Sequence, residues 1–121
     1  PVHCTALGKT LLAFRPDPVV EQIVAARGLP RMTDTTITEL DELKRELIHI
    51  RQQGYALDDE ESEEGVRCLA APIRDYTGKV IAALSVSGPA SRIRSERDAE
   101  LSKAVCWAGE RISAGLGYLE T

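Results

Sequence analysis

The stretch Gly54–Gly88, GYALDDEESEEGVRCLAAPIRDYTGKVIAALSVSG, constrains the fold more than any other. Val66–Ile73 and Val80–Ser87 are apolar, rich in β-branched and small residues, and bounded by turn formers. That is the pattern of strands. Between them lies DYTGK, whose Thr77-Gly78 can supply the positive φ of a hairpin turn. An even, symmetric loop with Tyr76 opposite Lys79 pairs Ala70 with Ser85 and Cys68 with Ser87. Side chains alternate along a strand, so Cys68, Ala70, Ser85 and Ser87 share one face. Leu69, Leu84 and Val86 take the other. A face lined by small and polar groups leaves room for something other than side chains.

Helices surround this hairpin. Thr5 is a suitable N-cap for a helix running from Ala6 to about Phe14, with Leu7, Leu11, Leu12 and Phe14 as its apolar side. Pro16 and Pro18 end it, and Pro18 fits the first turn of a second helix that Gly28 closes. Thr38 with Asp41 resembles a capping box ahead of a third helix, whose stripe is Leu40, Leu43, Leu47 and Ile50. Gly54 stops that helix and passes the chain into a short strand, Tyr55-Ala56-Leu57-Asp58. A final helix begins near Ser95 with a stripe of Leu101, Val105, Ala108, Ile112 and Leu116. Antiparallel strands with separate helices make the class α+β.

Composition narrows the function. The 121 residues suit one domain with a modest core. With only five aromatic residues, that core is aliphatic. Nineteen acids against 15 bases give a net charge of −4, so this chain is poorly suited to holding nucleic-acid phosphates. No apolar run approaches the roughly 20 residues that span a bilayer, and no signal peptide is recognisable. The three cysteines are odd in number and widely spaced, which points to reduced thiols in a cytoplasmic protein. His3 and His49 are isolated, so no metal pair is expected, and no cofactor motif is present. The run DDEESEE reads as a solvated loop without the spacing of a calcium site.

Three motifs in order, HCTALGK, QQGYALDDEESEEGVRCLAAPI and AALSVSGPASRI, closely resemble the C-terminal effector-binding domain of the IclR family of bacterial transcriptional regulators. The resemblance implies a GAF-like antiparallel sheet flanked by helices, lacking its first strands. Residues 1–121 would then be a ligand-binding domain, and the family's DNA-binding winged helix-turn-helix would be absent from this chain. It implies a ligand pocket and assembly into a dimer or tetramer, with DNA bound only through the absent domain; the residue chemistry below makes the effector a small organic acid, and no membrane partner is expected. It places ligand contacts at Ala6 and Leu7, at Asp58, at Cys68, and at Ser85 and Ser87, with Leu7 bulky enough to narrow the pocket.

The chemistry of these positions agrees with that implication. A helix beginning after Thr5 offers unpaired N–H groups from Ala6 to Gly8 and the positive end of its dipole, a seat for a carboxylate. Ser85 and Ser87 can donate to the same anion, Asp58 can accept from a ligand hydroxyl, and Cys68 gives a small polarisable wall. Each has a plainer reading: Thr5 as a cap, Lys9 as a solvated or structural charge, Asp58 as a cap of the acidic loop, Cys68 as a buried small residue. Two other functions are on the table. An oligomerisation module would fill the serine face with its own side chains. A Cys or Ser hydrolase needs a base beside its nucleophile and has no GxSxG elbow, so no catalytic residue is expected.

Overall fold

A computed structural model describes residues 1–119. Helices α1 (Ala6–Ala13), α2 (Asp17–Arg27) and α3 (Leu40–Gln53) precede strands β1 (Ala56–Asp59), β2 (Val66–Arg74) and β3 (Val80–Pro89). A short 3-10 turn, Ser95–Arg97, leads into α4 (Asp98–Gly115). The strands form one antiparallel sheet in the order β1-β2-β3, and the class is α+β.

Two apolar layers sandwich this sheet. Leu12, Ala13, Val20, Leu43, Leu47 and Ile50 from the first three helices pack on Ala56. On the opposite face Leu69 and Ala71 meet Val105 of α4 and Ile93, with Leu57 and Val86 beside them. The alternation of β2 therefore sends Ala70 and Cys68 toward α1 and sends Leu69 and Ala71 toward α4.

The hairpin register is the expected one, with Cys68 opposite Ser87 and Ala70 opposite Ser85. The turn reaches it differently. Tyr76 does not face Lys79. Asp75 N–H donates to the Lys79 carbonyl at 3.0 Å, Gly78 N–H donates to the Asp75 carbonyl at 3.0 Å, and Gly78 has φ +86°. Pairing then runs Arg74 to Val80 but Ile73 to Ala82, leaving Ile81 as a bulge. The odd loop shifts the register by one residue and the bulge shifts it back.

Two helix expectations are corrected. Thr38 does not cap α3: the N-cap is Glu39, without a side-chain cap bond, and the Thr38 hydroxyl lies 3.4 Å from Arg31 Nη2. Acidic residues in the first turn, Asp41 and Glu42, favour the helix start through its dipole instead. In α4 the buried residues are Ser102, Val105, Gly109 and Ser113, a face turned by roughly a sixth of a turn from the expected stripe. Ile112 and Leu116 are largely outside. Close approach selected this face. A Cβ on Gly109 would stand 2.8 Å from the Pro72 carbonyl oxygen and 3.5 Å from Ala71 Cβ. Ser113 Oγ accepts from Arg74 N–H at 2.8 Å and donates to the Gly109 carbonyl at 2.7 Å.

The start of α4 is tied to β2 by Arg67. Its guanidinium holds both oxygens of Asp98 at 2.8 and 3.0 Å, the Ile93 carbonyl at 2.8 Å and Asp59 at 2.9 Å. Those acceptors hold its proton even more firmly than usual.

Gly109→Ala tests the α4 contact. The added methyl should cost roughly 1–3 kcal/mol, because helix and sheet must separate to admit it. A lowered denaturation midpoint in urea is expected; an unchanged midpoint would mean the contact is looser than described.

Candidate functional site

The face of the sheet under α1 carries the residues expected to meet a ligand. The register sets Asp58 opposite Cys68 and Cys68 opposite Ser87, so the three form one row across all strands. Ala56, Ala70 and Ser85 form the next row. Cys68 is half-buried, Asp58 is fully buried, and Ser85 and Ser87 are exposed on the edge strand. The row therefore runs from a closed end at Asp58 to an open end at the serines. A separate cleft of about 410 Å³ lies beside α4, between Gln53, Pro72, Arg74, Cys106 and Ser113.

Helix α1 lies on this face, packed against all three strands. Thr5 caps it: its Oγ1 accepts from Gly8 N–H at 3.0 Å, and its carbonyl accepts from Lys9 N–H at 2.9 Å. Gly8 is thus committed to the cap. A Cβ there would lie 2.5 Å from Val2 Cα, so the preceding turn leaves it no space for a side chain. Among the described residues the Ala6 and Leu7 N–H groups have no acceptor. Ala6 is buried, whereas the Leu7 side chain is 41% exposed and lies outside the apolar side of α1 that the sequence suggested.

Asp58 is engaged by its own loop. Oδ1 accepts from Glu61 N–H at 2.8 Å and Oδ2 from Ser62 Oγ at 2.7 Å. A carboxylate has about four acceptor directions, so each oxygen keeps one for a ligand hydroxyl. The acidic run is solvated only in part, with Asp59, Glu63 and Glu64 exposed. Glu61 is buried, and Glu60 adopts φ +58° while its carboxylate accepts from Gly65 N–H at 2.7 Å. Hydroxyls from the segment before α3 hold it from the other side. Thr33 donates to the Glu60 carbonyl at 2.6 Å, and Thr36 donates to the Glu61 carbonyl at 2.6 Å.

Lys9 ties these parts together. Its side chain is 0% exposed. Nζ donates to the Leu57 carbonyl at 2.6 Å, to Glu61 at 3.0 Å and to Glu46 of α3 at 3.1 Å. One ammonium thus joins α1, α3, β1 and the acidic loop, using all three donors. The sequence did hold a signal for this. Lys9 follows buried Ala6 by three residues and precedes buried Leu12 by three, so it lies on the inward side of α1.

The electrostatics oppose nucleophilic chemistry. Burial pushes the Cys68 thiol above its usual value, the Asp58 charge adds to that, and the Ser87 hydroxyl offsets part of it. Burial likewise raises Cys4 and Cys106. An activated cysteine needs the reverse environment. His3 Nε2 is 2.8 Å from the Pro30 carbonyl oxygen, and His49 lies on the exposed side of α3. Burial also raises the Glu61 carboxyl despite the neighbouring Lys9.

Lys9→Met should cost about 3–5 kcal/mol, since it leaves Glu61 buried and uncompensated. Lys9→Met combined with Glu61→Gln should cost less than the two single changes added together, as chemical denaturation would report; strict additivity would contradict the pairing. The folded state binds the Glu61 proton more tightly than the unfolded chain does. Stability should therefore fall as pH rises from the ordinary carboxylate value through the raised one. That contribution to the slope should vanish in Glu61→Gln.

Comparison with known proteins agrees with this architecture. Residues 1–114 match the family described as bacterial transcriptional regulator IclR, C-terminal. The HTH-type transcriptional regulator KdgR of Escherichia coli is 44% identical over 118 residues, covering 98% of this chain and 45% of that protein. The chain thus spans about half the length of that relative. The crystal structure of the KdgR C-terminal domain superposes with a TM-score of 0.89 over 98% of this chain and 72% of that one. A double mutant of the inducer-binding domain of PobR from Acinetobacter, in complex with 3-hydroxybenzoic acid, gives a TM-score of 0.85. It is 29% identical and is matched over 99% of this chain and 67% of that one. The match over nearly all of its length and the shared fold place this chain in the family of IclR C-terminal, effector-binding domains.

Proposed function

We propose that the domain senses a small organic acid on the face between α1 and the Asp58–Cys68–Ser87 row. Two features support this reading, one at the start of α1 and one on the sheet face that α1 covers. One is the start of α1, where the Ala6 and Leu7 N–H groups lack acceptors and the helix dipole favours an anion. The other is the row itself, with hydroxyls at Ser85 and Ser87, the latter beside the Cys68 thiol, and spare acceptor capacity at Asp58. A ligand carboxylate would take the N–H groups and the serine hydroxyls. A ligand hydroxyl or hydrated carbonyl would donate to Asp58, and Cys68 would form the floor. Leu7 would stand at the rim and limit ligand width. That an inducer-binding relative was crystallised with 3-hydroxybenzoic acid, which carries both a carboxyl and a hydroxyl, supports this class of ligand.

The regulatory consequence follows from linkage. A ligand shifts an equilibrium between subunit arrangements only if it binds one arrangement better. Occupancy of this face would bias how the domains associate, and with them the spacing of DNA-binding domains carried outside this chain. This chain, at net charge −4, would contribute little to DNA affinity itself.

Titration calorimetry with a panel of small hydroxy and keto acids, 3-hydroxybenzoate included, tests the reading. Ser87→Ala removes one hydrogen bond to a charged group, worth roughly 1.5–3 kcal/mol, and should weaken the best binder about ten- to a hundredfold. Asp58→Ala should weaken hydroxylated acids more than their deoxy analogues. It should also loosen the acidic loop, because Glu61 N–H and Ser62 lose their acceptor. Unchanged affinity in both variants would remove the proposed roles.

A further inference from the structure

The clasp around Lys9 is short of positive charge. One ammonium is shared between Glu61 at 3.0 Å and Glu46 at 3.1 Å. Asp58 brings a third carboxylate, joined to the same loop through the Glu61 N–H at 2.8 Å. Lys9, Asp58 and Glu61 are buried, and the Glu46 side chain is 28% exposed. So one base stands against three acids, mostly out of water. The other elements around the pair do not make up the difference. From β2 and β3 this side receives the neutral Cys68, Ser85 and Ser87. Thr33 and Thr36 spend their hydroxyls on the Glu60 and Glu61 carbonyls. Cys4, just ahead of α1, is a thiol whose ionisation burial opposes, with the Asp58 and Glu61 charges acting in the same sense.

We infer that binding of an anion at the start of α1 is coupled to proton uptake, with Glu61 as the group that takes the proton from solvent. The inference rests on the ligand face proposed above. A carboxylate held by the Ala6 and Leu7 N–H groups adds a fourth negative charge. Helix rise sets Lys9 only about 3 to 4.5 Å along the axis from those residues. A like charge this close favours the neutral form of a buried carboxyl. The ligand remains an anion, one solvent proton adds to a Glu61 oxygen, and Lys9 keeps its charge and its bonds to Glu46 and the Leu57 carbonyl. Burial already disposes Glu61 toward the neutral form, against the pull of Lys9. Asp58 is the poorer acceptor of this proton. Its two oxygens already receive Glu61 N–H and the Ser62 hydroxyl, and the ligand hydroxyl would be a third donor. Affinity is then highest where Glu61 is neutral before the ligand arrives. It falls as pH rises through the free and then the bound value of that carboxyl, both above the ordinary one. Each pH unit between those two values separates the acid and alkaline affinities by about tenfold.

Titration calorimetry with 3-hydroxybenzoate and with glycolate tests this, run from about pH 5 to about pH 8 in paired buffers of small and large ionisation enthalpy. Both acids are already anions over that range. The paired buffers should give different heats, reporting uptake of at most about one proton per bound acid, and the dissociation constant should rise with pH. Glu61→Gln should hold the affinity near its low-pH level throughout and remove the buffer dependence. Glu46→Gln takes one negative charge from Lys9 and should move the uptake to lower pH without abolishing it. Binding with equal heats in both buffers at every pH would overturn the inference and leave the ligand face standing. Uptake that persists in E61Q would put the proton on another group, such as His3 or Asp58, and overturn the assignment. Failure of both acids to bind at any pH would remove the ligand face and this inference together. The wild-type buffer comparison decides the coupling even if E61Q does not fold.

Discussion

A lysine with no exposure is the fixed point of this domain. Removing an ammonium from water is expensive, and only a full set of acceptors makes it tolerable. Lys9 has that set, drawn from α3, β1 and the acidic loop. Its position therefore dictates theirs. The start of α1 cannot move without the loop, and the loop cannot move without Asp58, which caps it. The groups proposed to meet a ligand lie on either side of this clasp. Binding at α1 would thus be felt in the acidic loop through rigid, fully bonded connections.

The sheet separates two tasks. Its α1 face is lined by alanines, a cysteine and serines, small residues on which α1 packs. Its α4 face packs Leu69, Ala71 and Val105 around the near-contact at Gly109, with the cleft of about 410 Å³ at one side. Period-two alternation in β2 is what allows both from one strand. A slip of one residue would turn Cys68 into the core and Leu69 onto the open face. The bulge at Ile81 prevents that slip by cancelling the odd turn.

Much of this was legible in the sequence, for reasons that can be named. The strands and the Cys68–Ser87 pairing follow from alternation and from the glycine turn. The family resemblance rested on three ordered motifs, and the match over residues 1–114 bears it out. The compensating bulge was invisible because it leaves the outer register unchanged. The α4 face was misjudged because apolar size is a poor guide where close approach favours glycine and serine. Thr38 lost its cap role by one residue. The acidic run was misjudged in part: Asp59, Glu63 and Glu64 are exposed as charge density suggests, and only tertiary partners, Lys9 and the threonines, could reveal the burial of Glu61. Cys68, Ala70, Ser85 and Ser87 were grouped correctly by register, and the pairing of β1 with β2 adds Asp58, but whether a ligand joins them is not a property of register.

That last point decides the account. Amide chemical shifts recorded during titration with a binding acid would locate the ligand directly. The account predicts changes concentrated at Ala6, Leu7, Cys68, Ser85 and Ser87, with smaller ones through the acidic loop. Changes centred instead on the cleft beside α4, at Gln53, Arg74 and Cys106, would contradict it.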